Sequence, residues 1–102
     1  LEKFLQSKEK TNLKELAPNW FYDNLQKVIT NENDIFELTK KEAKFIEILL
    51  SKDSIITYEE IEQKLWDGEY MSLNALRLMI KNLRKKLPEG TLKNIQGIGY
   101  KF

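Results

Sequence analysis

Between residues 71 and 102 a leucine-paced run stops at a proline and gives way to a short glycine-marked segment. Leu73, Leu76, Ile80, Leu83 and Leu87 recur at helical spacing, so one stripe of this run must face a core. Asn74, Arg77, Lys81, Arg84 and Lys85 recur on the opposite side. Pro88 has no amide hydrogen and disfavours a helical residue before it, so the spacing predicts a helix that ends at Leu87. Beyond Glu89 and Gly90, residues 92–95 and 99–102 read as a two-stranded hairpin turning on Gln96, Gly97 and Ile98.

Charge singles out the same stretch. Residues 71–102 hold seven basic side chains against one acid, Glu89, a net of +6 in a chain whose total is +1. Residues 31–70 carry five lysines and eleven acids, a net of −6, and residues 1–30 a net of +1. A helix that is apolar inside and cationic outside points to a polyanion partner, and the acidic middle would orient that partner by repulsion. A length of 102 residues suits one domain with a single modest core. No apolar run approaches the ~20 residues of a membrane span, and no signal-peptide pattern opens the chain. The chain has no cysteine and no histidine, which removes thiolate chemistry, the commonest general base and the commonest metal ligand. A cytoplasmic protein that is not an enzyme and takes no cofactor or metal is the expectation.

Upstream the pattern is different. Residues 1–11 are rich in lysine and glutamate, and the chain opens on Leu1 rather than Met; they read as a linker or the end of a missing upstream domain. Residues 13–16, 20–23, 27–30 and 35–38 read as four short strands separated by turn-forming residues, a small antiparallel meander. Thr39 and Glu42 form a capping box that starts a helix running to about Ser51, with Ala43, Phe45, Ile46, Leu49 and Leu50 inward. Ile55 and Ile56 make a short strand. Thr57 and Glu60 form a second capping box, starting a helix whose inner face is Ile61, Leu65 and Trp66. Ser72 caps the basic third helix. Glu59, Glu60 and Glu62 suggest a carboxylate cluster, but capping accounts for Glu60 and a solvated helix face for the other two. No phosphate-cradling glycine loop or metal-ligand spacing appears.

The order is therefore four strands, helix, strand, helix, helix and hairpin. The second and third helices with the loop between them form a helix-turn-helix, and the hairpin forms a wing. Leu38-Thr39 with Glu42, Ile55-Ile56-Thr57-Tyr58-Glu59, Trp66, Leu83-Arg84-Lys85-Lys86-Leu87 and Gly97-Ile98-Gly99-Tyr100-Lys101-Phe102 follow in one order. Together they resemble the C-terminal effector domain of bacterial response regulators of the OmpR/PhoB winged-helix family, over residues 13–102. The resemblance implies an α+β fold: an N-terminal four-stranded antiparallel sheet (residues 12–38), a three-helix core (39–87) and a C-terminal β-hairpin wing (91–102). It also implies sequence-specific binding of double-stranded DNA for transcriptional regulation, as the output domain of a two-component phosphorelay. The partner domain would be an upstream receiver phosphorylated on aspartate, with residues 1–11 as its end or the linker. Binding as a homodimer on direct-repeat DNA is common in the family.

By the same resemblance Asn74, Arg77, Lys81, Asn82, Arg84 and Lys85 face DNA from the recognition helix. Arg77 suits a guanine edge and Asn82 an adenine edge, whereas Lys81, Arg84 and Lys85 suit phosphates. On the wing the candidates are Asn94 and Gln96. The family often has arginine at the positions of Asn74, Asn82 and Gln96, so fewer counterions would be released and minor-groove insertion by the wing is the weaker expectation. Met79 is read either as partly exposed, touching a thymine methyl, or as a peripheral core contact. The loop at residues 67–71 aligns with a segment that contacts RNA polymerase in some members; Asp67, Glu69 and Tyr70 suit that role or that of a solvated loop. Gly97 and Gly99 serve the hairpin, and Trp66, Tyr100 and Phe102 pack in the core. Of Trp20, Phe21 and Tyr22, at least one should be exposed or at an interface. The rival reading is a winged helix used for protein contact, with little affinity for DNA.

Overall fold

A computed structural model describes residues 13–52 and 54–102; the expected linker at residues 1–11 lies outside them. Four strands open the fold: β1 (Leu13–Ala17), β2 (Trp20–Asp23), β3 (Val28–Thr30) and β4 (Ile35–Glu37). They form one antiparallel sheet in sequence order. The turns follow from their side chains. Asp23 Oδ1 accepts the amides of Leu25 and Gln26 at 2.9 and 3.1 Å, and Asn31 Oδ1 accepts those of Asn33 and Asp34 at 2.8 and 2.7 Å. Strand β3 begins one residue later than the sequence suggests. Lys27 adopts φ 59° and donates its amide to Asp23 O, which closes the turn.

One face of the sheet carries Tyr22 and Ile29 into the core, with Trp20 stacked on Phe36 beside them. None of the three adjacent aromatics is fully exposed: Tyr22 is buried, and Trp20 and Phe21 are half-buried. Tyr22 donates its hydroxyl to Glu47 at 2.5 Å, and Lys27 Nζ reaches the same carboxylate at 2.6 Å, tying sheet to helix. Burial pushes the Glu47 carboxyl up. The hydrogen bonds from Lys27 and Tyr22 and the Lys27 charge outweigh that and hold it below the usual range.

Helix α1 (Lys40–Ser51) begins at the expected capping box, with Thr39 Oγ1 accepting the Glu42 amide and Glu42 Oε1 accepting the Thr39 amide. Strand β5 (Ile56–Thr57) leads into helix α2 (Tyr58–Leu65), whose capping box of Thr57 and Glu60 is also complete. Helix α3 (Leu73–Arg84) is capped by Ser72. It ends three residues before the expected Leu87. With Pro88 next, the chain tightens instead of continuing: the Lys86 and Leu87 amides bond back three residues, to Leu83 O at 2.9 Å and Arg84 O at 3.5 Å.

The last elements are β6 (Lys93–Ile95) and β7 (Gly99–Lys101), one residue shorter at the outer ends than read from sequence. They join β5 in a second antiparallel sheet, ordered β5-β7-β6. Gly97 turns the hairpin at φ 77°. Gly99 is needed for a different reason: a Cβ there would collide with the backbone carbonyl of Ile56 on the neighbouring strand. All three helices seen among the described residues contribute to one core, which includes Phe45, Ile46, Ile61, Leu76, Leu83 and Tyr100. No helix among these residues is long and apolar enough to cross a membrane.

Candidate nucleic-acid interface

Helix α3 presents two chemistries because most of its apolar residues fall on one side, Leu78 being the exception at 59% exposed. Leu76, Met79, Ile80 and Leu83 are buried. Asn74, Arg77, Lys81, Asn82, Arg84 and Lys85 are all exposed. One expectation is corrected here and one open alternative is decided. Leu73 was placed on the core stripe, yet it is 56% exposed, because at the first helical turn it lies beyond the edge of the core. Met79 is 9% exposed and belongs to the core cluster, which removes it as a surface contact.

The basic residues around the end of α3 divide by what they touch. Lys86 Nζ lies 2.8 Å from the Glu42 carboxylate and 2.8 Å from the Glu37 carbonyl. Among the described residues Glu42 is the one buried charged residue, so the first capping box doubles as the counterion that holds the end of α3. Arg84 donates one guanidinium nitrogen to Leu92 O at 3.2 Å, bracing the hairpin, and the rest of its exposed fork stays available. Among the described residues, no side-chain hydrogen bond or ion pair engages Arg77, Lys81 or Lys85. These three recur every fourth residue along the outer side of α3 and carry its free positive charge.

The hairpin is braced against α1 and α2. Tyr100 on β7 meets both Phe45 and Tyr58 edge to face, with ring centres 6.1 Å apart in each case. Burial pushes the Tyr100 hydroxyl up, and Tyr58 adds to this, while Arg84 and Arg77 pull it down. Through its bond to Leu92 O, Arg84 lies on the side of α3 nearest the wing. The Tyr58 amide donates to Ile98 O at 3.1 Å, and Asn94 Oδ1 lies 3.5 Å from the Tyr58 hydroxyl. At the tip Gln96 is exposed and uncharged, and Ile98 is 47% exposed. Sequence reasoning passed over Lys93, an exposed cation at the hairpin base, which stands opposite Lys101 in the strand register.

The loop between α2 and α3 is shaped by backbone that favours it. Asp67 and Gly68 take φ 54° and 82°. The Trp66 and Gly68 amides both donate to Glu62 O, and the Glu62 carboxylate accepts the Met71 amide at 2.7 Å. Glu62 is thus a half-buried loop anchor, not the solvated side chain expected, because its α2 position points at the returning chain. Asp67, Glu69 and Tyr70 project from the loop, Tyr70 being 84% exposed. Trp66 packs against the core, with Lys41 Nζ 4.3 Å from its ring centre. Among the described residues no cluster of acidic side chains could hold a metal ion.

A capped helix pair, an exposed basic third helix and a hairpin strapped beside it define a winged helix-turn-helix. A family model described as "Transcriptional regulatory protein, C terminal" matches residues 31–102. The transcriptional regulatory protein QseB of Haemophilus influenzae is 37% identical over 81 residues, covering 76% of this chain and 36% of that protein. The regulatory protein VanRB of Enterococcus faecalis is 38% identical over 70 residues, covering 64% of this chain and 30% of that protein. The chain thus spans about a third of the length of these curated relatives. The DNA-binding domain of Bacillus subtilis CssR superposes with a TM-score of 0.69 at 26% identity, covering 80% of this chain and 97% of that one. The Klebsiella pneumoniae RstA DNA-binding domain, solved in complex with the RstA box, superposes with a TM-score of 0.70 over 88% of this chain and 95% of that one. At 18% identity the latter likeness concerns the fold alone. The chain belongs to this family, the winged-helix DNA-binding domains of transcriptional regulators of the OmpR/PhoB type.

Proposed function

We propose that this domain binds double-stranded DNA sequence-specifically, with α3 in the major groove and the hairpin along the neighbouring backbone or minor groove. The observation that carries this reading is the row Arg77, Lys81 and Lys85, exposed and unengaged on one side of α3. Arg77 reads a guanine edge through its planar fork, and Asn82 reads an adenine. Lys81, Lys85 and the free part of Arg84 hold phosphates and set the register, and Asn74 faces the DNA from the helix start. Asn94 and Gln96 meet the backbone or a groove edge and add less.

In the whole protein the domain would be the cytoplasmic output of a two-component response regulator, controlled by a phosphorylated receiver and acting as a homodimer on direct repeats. Asp67, Glu69 and Tyr70 would offer an exposed contact for RNA polymerase. No catalytic step is assigned. The test is binding to genomic fragments across a salt series. Three phosphate-bound cations predict that log affinity falls against log salt with a slope of roughly −3. An absence of salt-dependent binding would favour the rival reading, a protein-contact module, which the uncharged wing tip at Gln96 and Ile98 supports.

A further inference from the structure

The outer side of α3 carries two parallel rows with a four-residue repeat. One is the cationic row Arg77–Lys81–Lys85. The other is Asn74–Leu78–Asn82, which bears no charge and is exposed throughout, Leu78 being 59% exposed. A lone surface leucine is ordinary. This one stands midway between two asparagines one helical turn away on either side, on the face opposite Leu76 and Ile80. Asparagine and leucine both branch at Cγ and reach equally far, so the row has an even profile. The longer lysine chains beside it reach outward to phosphates. A row that can approach base edges with amides and one isobutyl group has a definite complement. Asparagine pairs with the N6 and N7 edge of adenine, and an apolar side chain packs on the 5-methyl group of thymine.

We propose that this uncharged row reads a run of A·T pairs, with Asn74 and Asn82 on adenines and Leu78 on a thymine methyl between them. The inference rests on the DNA-binding reading above and deepens it by naming the bases. The spacing is compatible: eight residues of helix span about 12 Å, or roughly four base steps at 3.4 Å. Guanine is expected only where Arg77 reaches.

The test selects bound DNA from a random pool with the 102-residue chain, then remakes the selected site with deoxyuridine replacing each thymine in turn. The substitution deletes the methyl group and leaves the base-pairing edge unchanged. The expected result is a half-site with A·T pairs at its centre and one thymine whose replacement weakens binding about fourfold. Leu78→Ala should bind the unmodified site more weakly and be indifferent to that replacement. Because Leu78 is exposed, an unchanged thermal melt will show the variant folded. Central G·C pairs, a Leu78→Ala chain that still distinguishes thymine from uracil, or salt-dependent binding without any selected motif would overturn this inference and leave DNA binding standing. No binding to any DNA would overturn both.

Discussion

On α3 the outward residues Arg77, Lys81 and Lys85 are charged and unengaged. In the hairpin the outward residues Asn94, Gln96 and Ile98 are uncharged, and the cations Lys93 and Lys101 sit back at its base. The helix also rests on a close-packed core through Leu76, Met79, Ile80 and Leu83, whereas the hairpin is held by Gly99 against Ile56, by Tyr100 and by Arg84. The difference teaches that these two elements, often paired as equal readers, are unequal here. On the proposed reading the helix would carry recognition and most of the salt-dependent affinity, and the wing would chiefly support it.

Several substitutions would break or sharpen this contrast. The largest effect is expected for Lys86→Met, which leaves the buried Glu42 carboxylate without its counterion. It should cost about 3 kcal/mol of folding stability, seen in denaturant unfolding, with the affinity of the folded fraction unchanged. A basic residue at the end of the recognition helix would thereby be separated from the DNA-facing ones. Arg77→Ala should cost about 1–3 kcal/mol on the selected site and relax base preference there, measured by titration.

The wing's base can be probed through the α2 cap. Thr57→Ala should cost about 1 kcal/mol of stability. The Glu60 carboxyl is held below its ordinary value near 4.5 by the hydrogen bond from Lys52 and by the Thr57 amide. Its contribution is therefore complete above the unfolded value and is lost as pH falls through the lower folded value. Melts across this acid range should show Glu60→Gln losing less stability on acidification than the parent chain. Lys81→Ala and Lys85→Ala should weaken binding to all sequences alike, each reducing the salt slope by about one. The smallest effect is expected for Gln96→Ala, within about 0.5 kcal/mol for binding and for stability.

Much of this architecture was legible because its signals are local. The two capping boxes, the leucine stripe and the glycine hairpin each occupy a few adjacent residues, and each led to the right element. What escaped depends on long-range geometry. The pairing of Lys86 with Glu42 joins residues 44 apart in sequence, and Glu62 reaches Met71 only because the loop doubles back. Periodicity alone could not separate Leu73 from the core stripe, since the first turn shares the helix's apolar pattern while lying beyond the edge of the core. Met79 and Leu78 are neighbours in sequence; which one faces outward was settled by the rotation of the helix on its core.

The most direct measurement compares the ratio of specific to random DNA affinity for the parent chain, for Arg77→Ala and for the Asn94→Ala, Gln96→Ala double variant. A helix that reads and a wing that supports predict that the ratio falls about fivefold or more for Arg77→Ala and stays within about threefold for the wing variant. A collapse in the wing variant with the ratio preserved in Arg77→Ala would contradict this division of roles.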